Sequence, residues 1–185
     1  MRRTLVVAKH HEDVSWLAQI PADWGKVIVY DKGLGELPNW PGREAHTYLH
    51  HIVSQYDILD GEIVFAQGRP FDHCPGFMEN LINDEVKVYG WSEICTTRDG
   101  QPHISGLPMD DYVKAMGLQP PIEYRFVCGA QFRVSAEQIK KHGKLFYENL
   151  LFASKAEPRI AYLLERVWQV IFGFDVVNQN GGQYH

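Results

Sequence analysis

Cysteine is scarce in this chain: Cys74, Cys95 and Cys128 are the only three, widely separated and with no Cys-x-x-Cys pair. That spacing excludes a zinc knuckle or a dithiol redox centre, and reduced thiols of the cytoplasm are the expectation. A basic excess is missing too. The net charge of -5 argues against a protein that grips nucleic acid chiefly by neutralising phosphates. No apolar run approaches membrane-spanning length, and Arg2-Arg3 precede only the short run Leu5 to Ala8, which is too few for a secretory signal core. Glycine is plentiful but never clustered as a dinucleotide fingerprint or a P-loop, so a standard Rossmann or P-loop enzyme is not expected.

What is present reads as an α/β protein. With 185 residues, 45% hydrophobic and 22% charged, the chain has the size and composition of one domain, expected over 1–185. Leu5 to Ala8 and Ile63 to Ala66 read as buried strands, Val27 to Tyr30 as a further strand and Val86 to Trp91 as a fourth. Between them, Asp13 is placed to cap a short helix carrying Trp16, Leu17 and Ile20. Ala45, Leu49, Ile52, Val53 and Tyr56 recur at helical spacing. This alternation predicts a single-domain mixed, mainly parallel sheet flanked by helices. Thr96 to Pro121 is rich in Gly, Pro and Asp and reads as an excursion with one short helix. Tyr124 to Val127 then resumes a strand, Ser135 caps a helix, and Ile160 to Phe172 forms the strongest amphipathic helix.

The polar residues at strand ends are the candidate site. Lys9-His10-His11-Glu12-Asp13 follows the first strand, where open α/β sheets bind ligands; a plain polar turn is the competing reading. Asp31 ends the second strand and either holds a ribose or begins the Asp31-Lys32-Gly33 turn. Arg43, at a helix start, is suited to a phosphate. His46 and His50 lie one helical turn apart, yet no Glu follows His46 as in a zincin helix. After Gly68 stands Arg69, and after Pro70 stand Asp72 and His73. The last two can share a divalent ion, Mn2+ or Mg2+, or form an Asx turn, while Arg69 can balance leaving-group charge without metal. Arg133, Lys140, Lys141, His142 and Lys144 read as a basic cluster around one helix. Glu165, among bulky apolar neighbours, reads as a base with raised proton affinity or as half of a surface ion pair with Arg166.

Several segments together resemble a family known only as a domain of unknown function: Val7 to Leu17, Gly42 to Leu49, Phe65 to Gly68, Gly129 to Ser135 and Glu165 to Trp168. Their order is also similar to GT-A-type glycosyltransferases, with a nucleotide-sugar over the first strands, an acidic metal motif after a central strand and a base on a later helix. In that likeness Cys128 to Ser135, leading into Phe146-Tyr147-Glu148, is the acceptor side, and Glu165 corresponds to the base. The departure is Gln67-Gly68-Arg69 where the metal motif is expected.

The resemblance therefore implies a GT-A-like glycosyltransferase moving a sugar from a nucleotide-sugar donor to a hydroxyl acceptor. Lys9, Asp31 and Arg43 would contact the nucleotide. Asp72 and His73 (with His185 as a further ligand), or Arg69 instead of a metal, would balance the leaving group, and Glu165 would be the base. No membrane partner is expected, and nucleic acid only as an acceptor. The alternatives are a non-catalytic nucleotide- or sugar-binding module, and a metal-dependent hydrolase using His46, His50, Asp72 and His73.

Overall fold

The computed structural model describes residues 2–84, 86–90, 92–95 and 106–174. Its strands are β1 (Arg3–Lys9), β2 (Lys26–Asp31), β3 (Glu62–Gln67), β4 (Ser92–Cys95), β5 (Tyr124–Val127) and β6 (Phe132–Ser135). The helices are α1 (Arg43–Gln55), α2 (Phe77–Ile82), α3 (Met109–Ala115), α4 (Ala136–Lys140), α5 (Lys144–Ala156) and α6 (Arg159–Phe172). One sheet has the order β2-β1-β3-β6, its first three strands parallel and β6 antiparallel to β3; β4 and β5 form a separate antiparallel pair.

Strand alternation divides the core between the two faces of the sheet. Val6, Ala8, Ile63 and Phe65 point to one side, and Leu5, Val7, Val64 and Ala66 to the other. The first side is thick: α1, α5 and α6 contribute Tyr48, Tyr147, Leu164, Trp168 and Phe172, all buried. A short 3-10 turn (Ser15–Gln19) and α2 cover the other side with Trp16, Phe77 and Leu81, joined by Trp24 and Tyr89. Each large apolar side chain so buried contributes about 1.5–3 kcal/mol. The stripe of α6 therefore suffices for a helix whose first turn follows Pro158 without a side-chain cap and which Gly173 ends in the left-handed region, φ 68°. Ser135 forms a complete capping box with Gln138 at α4.

Three expectations need correction. Val86 to Val88 is not a strand: it makes a single bridge, Val88 to Phe132, and the strand in this region is β4, paired with β5 away from the main sheet. The alternating apolar pattern there marks burial of Val88 and Tyr89, not a ladder. Trp91 lies outside the described residues, as do residues 96–105 of the glycine- and proline-rich excursion, whose short helix is α3. Asp13 does not cap the 3-10 turn, which begins after Val14; it closes a tighter turn by accepting from the amide of Ser15 at 2.8 Å and its hydroxyl at 2.9 Å. Arg133 is no part of a basic surface. It is 1% exposed, on β6, donating to the Leu81 carbonyl at 2.6 Å and Asp84 at 2.9 Å.

Candidate active site

The three parallel strands all end at one rim, and three cavities lie along it. The first, about 640 Å³, is bordered by His10, His11, Glu12, Trp16, Arg69 and Phe71. A smaller one of about 130 Å³ shares His10 and Glu12 with it and adds Lys32, Asn39, Arg43 and Glu44. The third, about 410 Å³, shares Arg43, Glu44 and Gln67 with the second and reaches His73, Tyr162 and Glu165. Open α/β sheets bind ligands at this carboxyl edge because loops there are free of the sheet's own hydrogen bonding.

Local sequence explains how the rim is built. Gly68 donates its amide to the Ala8 carbonyl at 2.9 Å, and the Trp16 indole donates to the Gly68 carbonyl at 2.9 Å, which ties the end of β3 to that of β1. Gln131, fully buried, accepts from the Gln67 amide at 3.3 Å and donates to the carbonyls of Pro70 at 3.1 Å and Tyr89 at 3.2 Å. That one amide clamps three loops. Beside it Gly129 takes φ 87°, and an added Cβ would lie 2.7 Å from the His73 ring, so glycine is required twice over. Arg43 and Ala130 also hold positive φ, 49° and 50°, a conformation that costs non-glycine residues about 1–3 kcal/mol and clusters at functional sites.

Glu165 is set into this frame from α6. It accepts from the Gly129 amide at 2.7 Å and stands 3.4 Å from the Arg166 guanidinium. Burial, reinforced by the neighbouring Glu44, outweighs both and pushes its carboxyl up to about 7. Across the same cavity Arg43 donates to the Tyr162 hydroxyl at 2.9 Å and lies 3.6 Å from Glu44. A base that titrates near neutrality and a fixed cation therefore share one cleft.

The remaining candidates divide. His73 joins Glu165 and Arg43, its ring against Gly129. Asp72 does not: it is half-exposed and paired with Arg69 at 3.1 Å. Arg69 borders the first cavity. Lys9 and Asp31 pair with each other and border none of the three cavities; Asp31 also accepts from the Gly33 amide at 3.0 Å, which is the turn reading. His46 is a core residue, pushed down to about 4 mainly by burial, and His50 meets the Tyr30 ring edge-on at 5.5 Å. Among the described residues no three His, Cys, Asp or Glu side chains gather as metal ligands, so the residues present do not fit the expected Asp72–His73 ion site; His185 lies outside the described residues. Sequence reading missed Lys32, Glu44 and Tyr162. Only Lys32 left a trace, as the lysine of the Asp31-Lys32-Gly33 turn just past a strand.

Comparison with known proteins bears on the first half of this rim. A family model described as "Protein of unknown function (DUF3431)" matches residues 5–78, from β1 into α2. That match is narrower than the motif series read from the sequence, which runs on to Trp168, and its description names no activity. No curated protein and no solved structure matches the chain.

Proposed function

We propose that the protein transfers a sugar from a nucleotide-sugar donor to a hydroxyl acceptor, on a GT-A-like arrangement of strands. The observation that carries this reading is Glu165, a carboxyl raised to about 7 in a cleft at the carboxyl edge of three parallel strands, facing Arg43. A general base works best when its pKa lies near the working pH. In the proposed reaction the Glu165 carboxylate takes the acceptor's hydroxyl proton and the acceptor oxygen bonds to the anomeric carbon. The bond from that carbon to the phosphate oxygen breaks, and the nucleoside diphosphate leaves with the electron pair. Arg43, which this cleft shares with the smaller cavity, is the cation placed to balance the leaving diphosphate.

Support also comes from order along the chain. The segments after β1 and β3 line the larger cavity, β3 is flanked by β1 and β6, and the helix bearing Glu165 comes late. Asp72 is engaged by Arg69 and the described residues bring no third ligand to His73, so the charge of the leaving group falls to this chain's own cations.

Purified protein incubated with a panel of nucleotide-sugars and simple sugar acceptors, with and without manganese, tests the reading. Release of nucleoside diphosphate that Glu165→Gln abolishes is the expected outcome. Binding of donors without release under any acceptor or metal condition would instead indicate a non-catalytic module. Phosphoester hydrolysis that survives Glu165→Gln would point to the hydrolase.

A further inference from the structure

Lys32 is a lysine with nowhere to put its charge. It is only 7% exposed, and its ammonium makes no hydrogen bond and no ion pair with any described residue, yet it borders the middle cavity. The stem is enclosed while the ammonium reaches the cavity, with Glu44 and Glu12 attracting it but forming no ion pair; a cation so enclosed is rare in folded proteins. The carboxylates nearby are already engaged. Glu12 accepts the His10 and His11 amides at 2.6 and 3.2 Å, and Glu44 sits beside Arg43.

The backbone fixes where the Lys32 side chain starts. Lys32 opens a 3-10 turn whose preceding residue, Asp31, accepts from Gly33; Gly33 is packed so tightly against β1 that an added Cβ would lie 2.0 Å from the His10 carbonyl oxygen. The turn is pinned from both sides, and the side chain between is held inward. Burial lowers the proton affinity of Lys32, with Glu44 and Glu12 opposing, so an arriving anion would complete the environment.

Resting on the transfer reading above, we infer that Lys32 and Arg43 grip the diphosphate of the donor in the middle cavity, with the nucleoside toward Trp16 and Phe71 and the departing sugar toward Glu165. The three cavities run in that sequence, since the middle one shares His10 with the larger and Arg43 with the cavity of Glu165. The middle cavity, at about 130 Å³, is the smallest of the row and the one bordered by both cations. Charge-assisted contacts from a lysine suit phosphate oxygens, and a preorganised buried cation performs at the leaving group what a metal ion would otherwise do.

Calorimetric titration of wild type and Lys32→Met with inorganic pyrophosphate, with uridine, guanosine and adenosine diphosphates and with the matching nucleosides is the test. The expected result is a loss of about 10- to 100-fold in affinity for the best-bound diphosphate in Lys32→Met, with nucleoside affinity unchanged and Lys32→Arg retaining part of the binding. Thermal unfolding of ligand-free Lys32→Met should occur at or above the wild-type temperature, because an apolar isostere replaces a desolvated charge. Equal diphosphate affinity in wild type and Lys32→Met, a parallel loss of nucleoside binding, or no diphosphate binding by wild type would overturn the inference. Diphosphate binding that depends on Lys32 without sugar release under any condition would refute transfer but keep the phosphate site; turnover undiminished in Lys32→Met would do the reverse.

Discussion

The two ends of the β2-β1-β3-β6 sheet treat buried charge in opposite ways. At the amino end Arg133 is 1% exposed, but it meets Asp84, the Leu81 carbonyl and, at 3.6 Å, Glu62; Glu62 in turn accepts from Lys87 at 3.1 Å, and Arg3 reaches the same Asp84. Charge there is neutralised by protein. At the carboxyl end Lys32 stands without a partner and Glu165 is held near neutrality. Burial thus serves two purposes: at the amino end opposite charges lie in contact and fix geometry, although Arg3 Nε, Glu62 Oε2 and Arg133 Nε have no hydrogen-bond partner among the described residues, whereas at the carboxyl end the charges face cavities and are poised for a ligand.

The widest separation between the ends should come from a pair of single substitutions. Glu165→Gln should lower the rate of nucleoside diphosphate release by about 100- to 10,000-fold without lowering urea stability at pH 7. Arg133→Met, which leaves the Leu81 carbonyl without its donor and Glu62 with Lys87 alone, should cost about 1–3 kcal/mol in urea unfolding and leave turnover per folded molecule unchanged. If Arg133→Met were as stable as wild type, the network at the amino end would not be the structural one.

A pH series sharpens the comparison further. Because Glu165 is raised from 4.5 to about 7 on folding, the folded state holds the extra proton between those values. Its contribution to stability is complete below pH 4.5 and lost as pH rises through about 7, amounting to about 3 kcal/mol. Glu165→Gln does not titrate, so its unfolding free energy relative to wild type should rise by that order between pH 4.5 and 8. Turnover by wild type should climb over the same upper range, as the base loses its proton. A stability difference that is flat with pH would show that Glu165 ionises as an ordinary carboxyl.

Smaller effects are expected from backbone and cap. Gly129→Ala places a Cβ at φ 87° against the His73 ring and should cost about 1–3 kcal/mol in thermal or urea unfolding, with a fall in turnover because the amide that holds Glu165 shifts. Ser135→Ala, at the amino end, should cost only about 1 kcal/mol and leave ligand titrations unchanged. Equal loss of ligand binding in both variants would erase the distinction between the two ends.

Much of the fold was legible in local pattern. The apolar runs of β1, β2 and β3 and the stripes of α1 and α6 are dictated by side-chain periodicity, which neighbours in the chain suffice to reveal. β6 was legible only as part of a likeness, since Phe132–Ser135 is short and carries a buried arginine whose partners, Leu81 and Asp84, lie far back in the chain. Nor could pattern separate Asp72 from His73. Adjacent residues just beyond β3, they are held by Arg69 and Gly129 respectively, contacts that span different distances in sequence.

The sequence by itself determined the class of structure, the strands that would line a rim and the residues that could carry charge there, because hydrophobic burial follows local periodicity. Only the tertiary structure decided which charges find partners. Lys9 met Asp31 across two strands, Arg133 met Asp84, and Lys32 and Glu165 were left facing a cleft. Electrostatic fate depends on distances between segments, and those exist only once the chain has closed on itself.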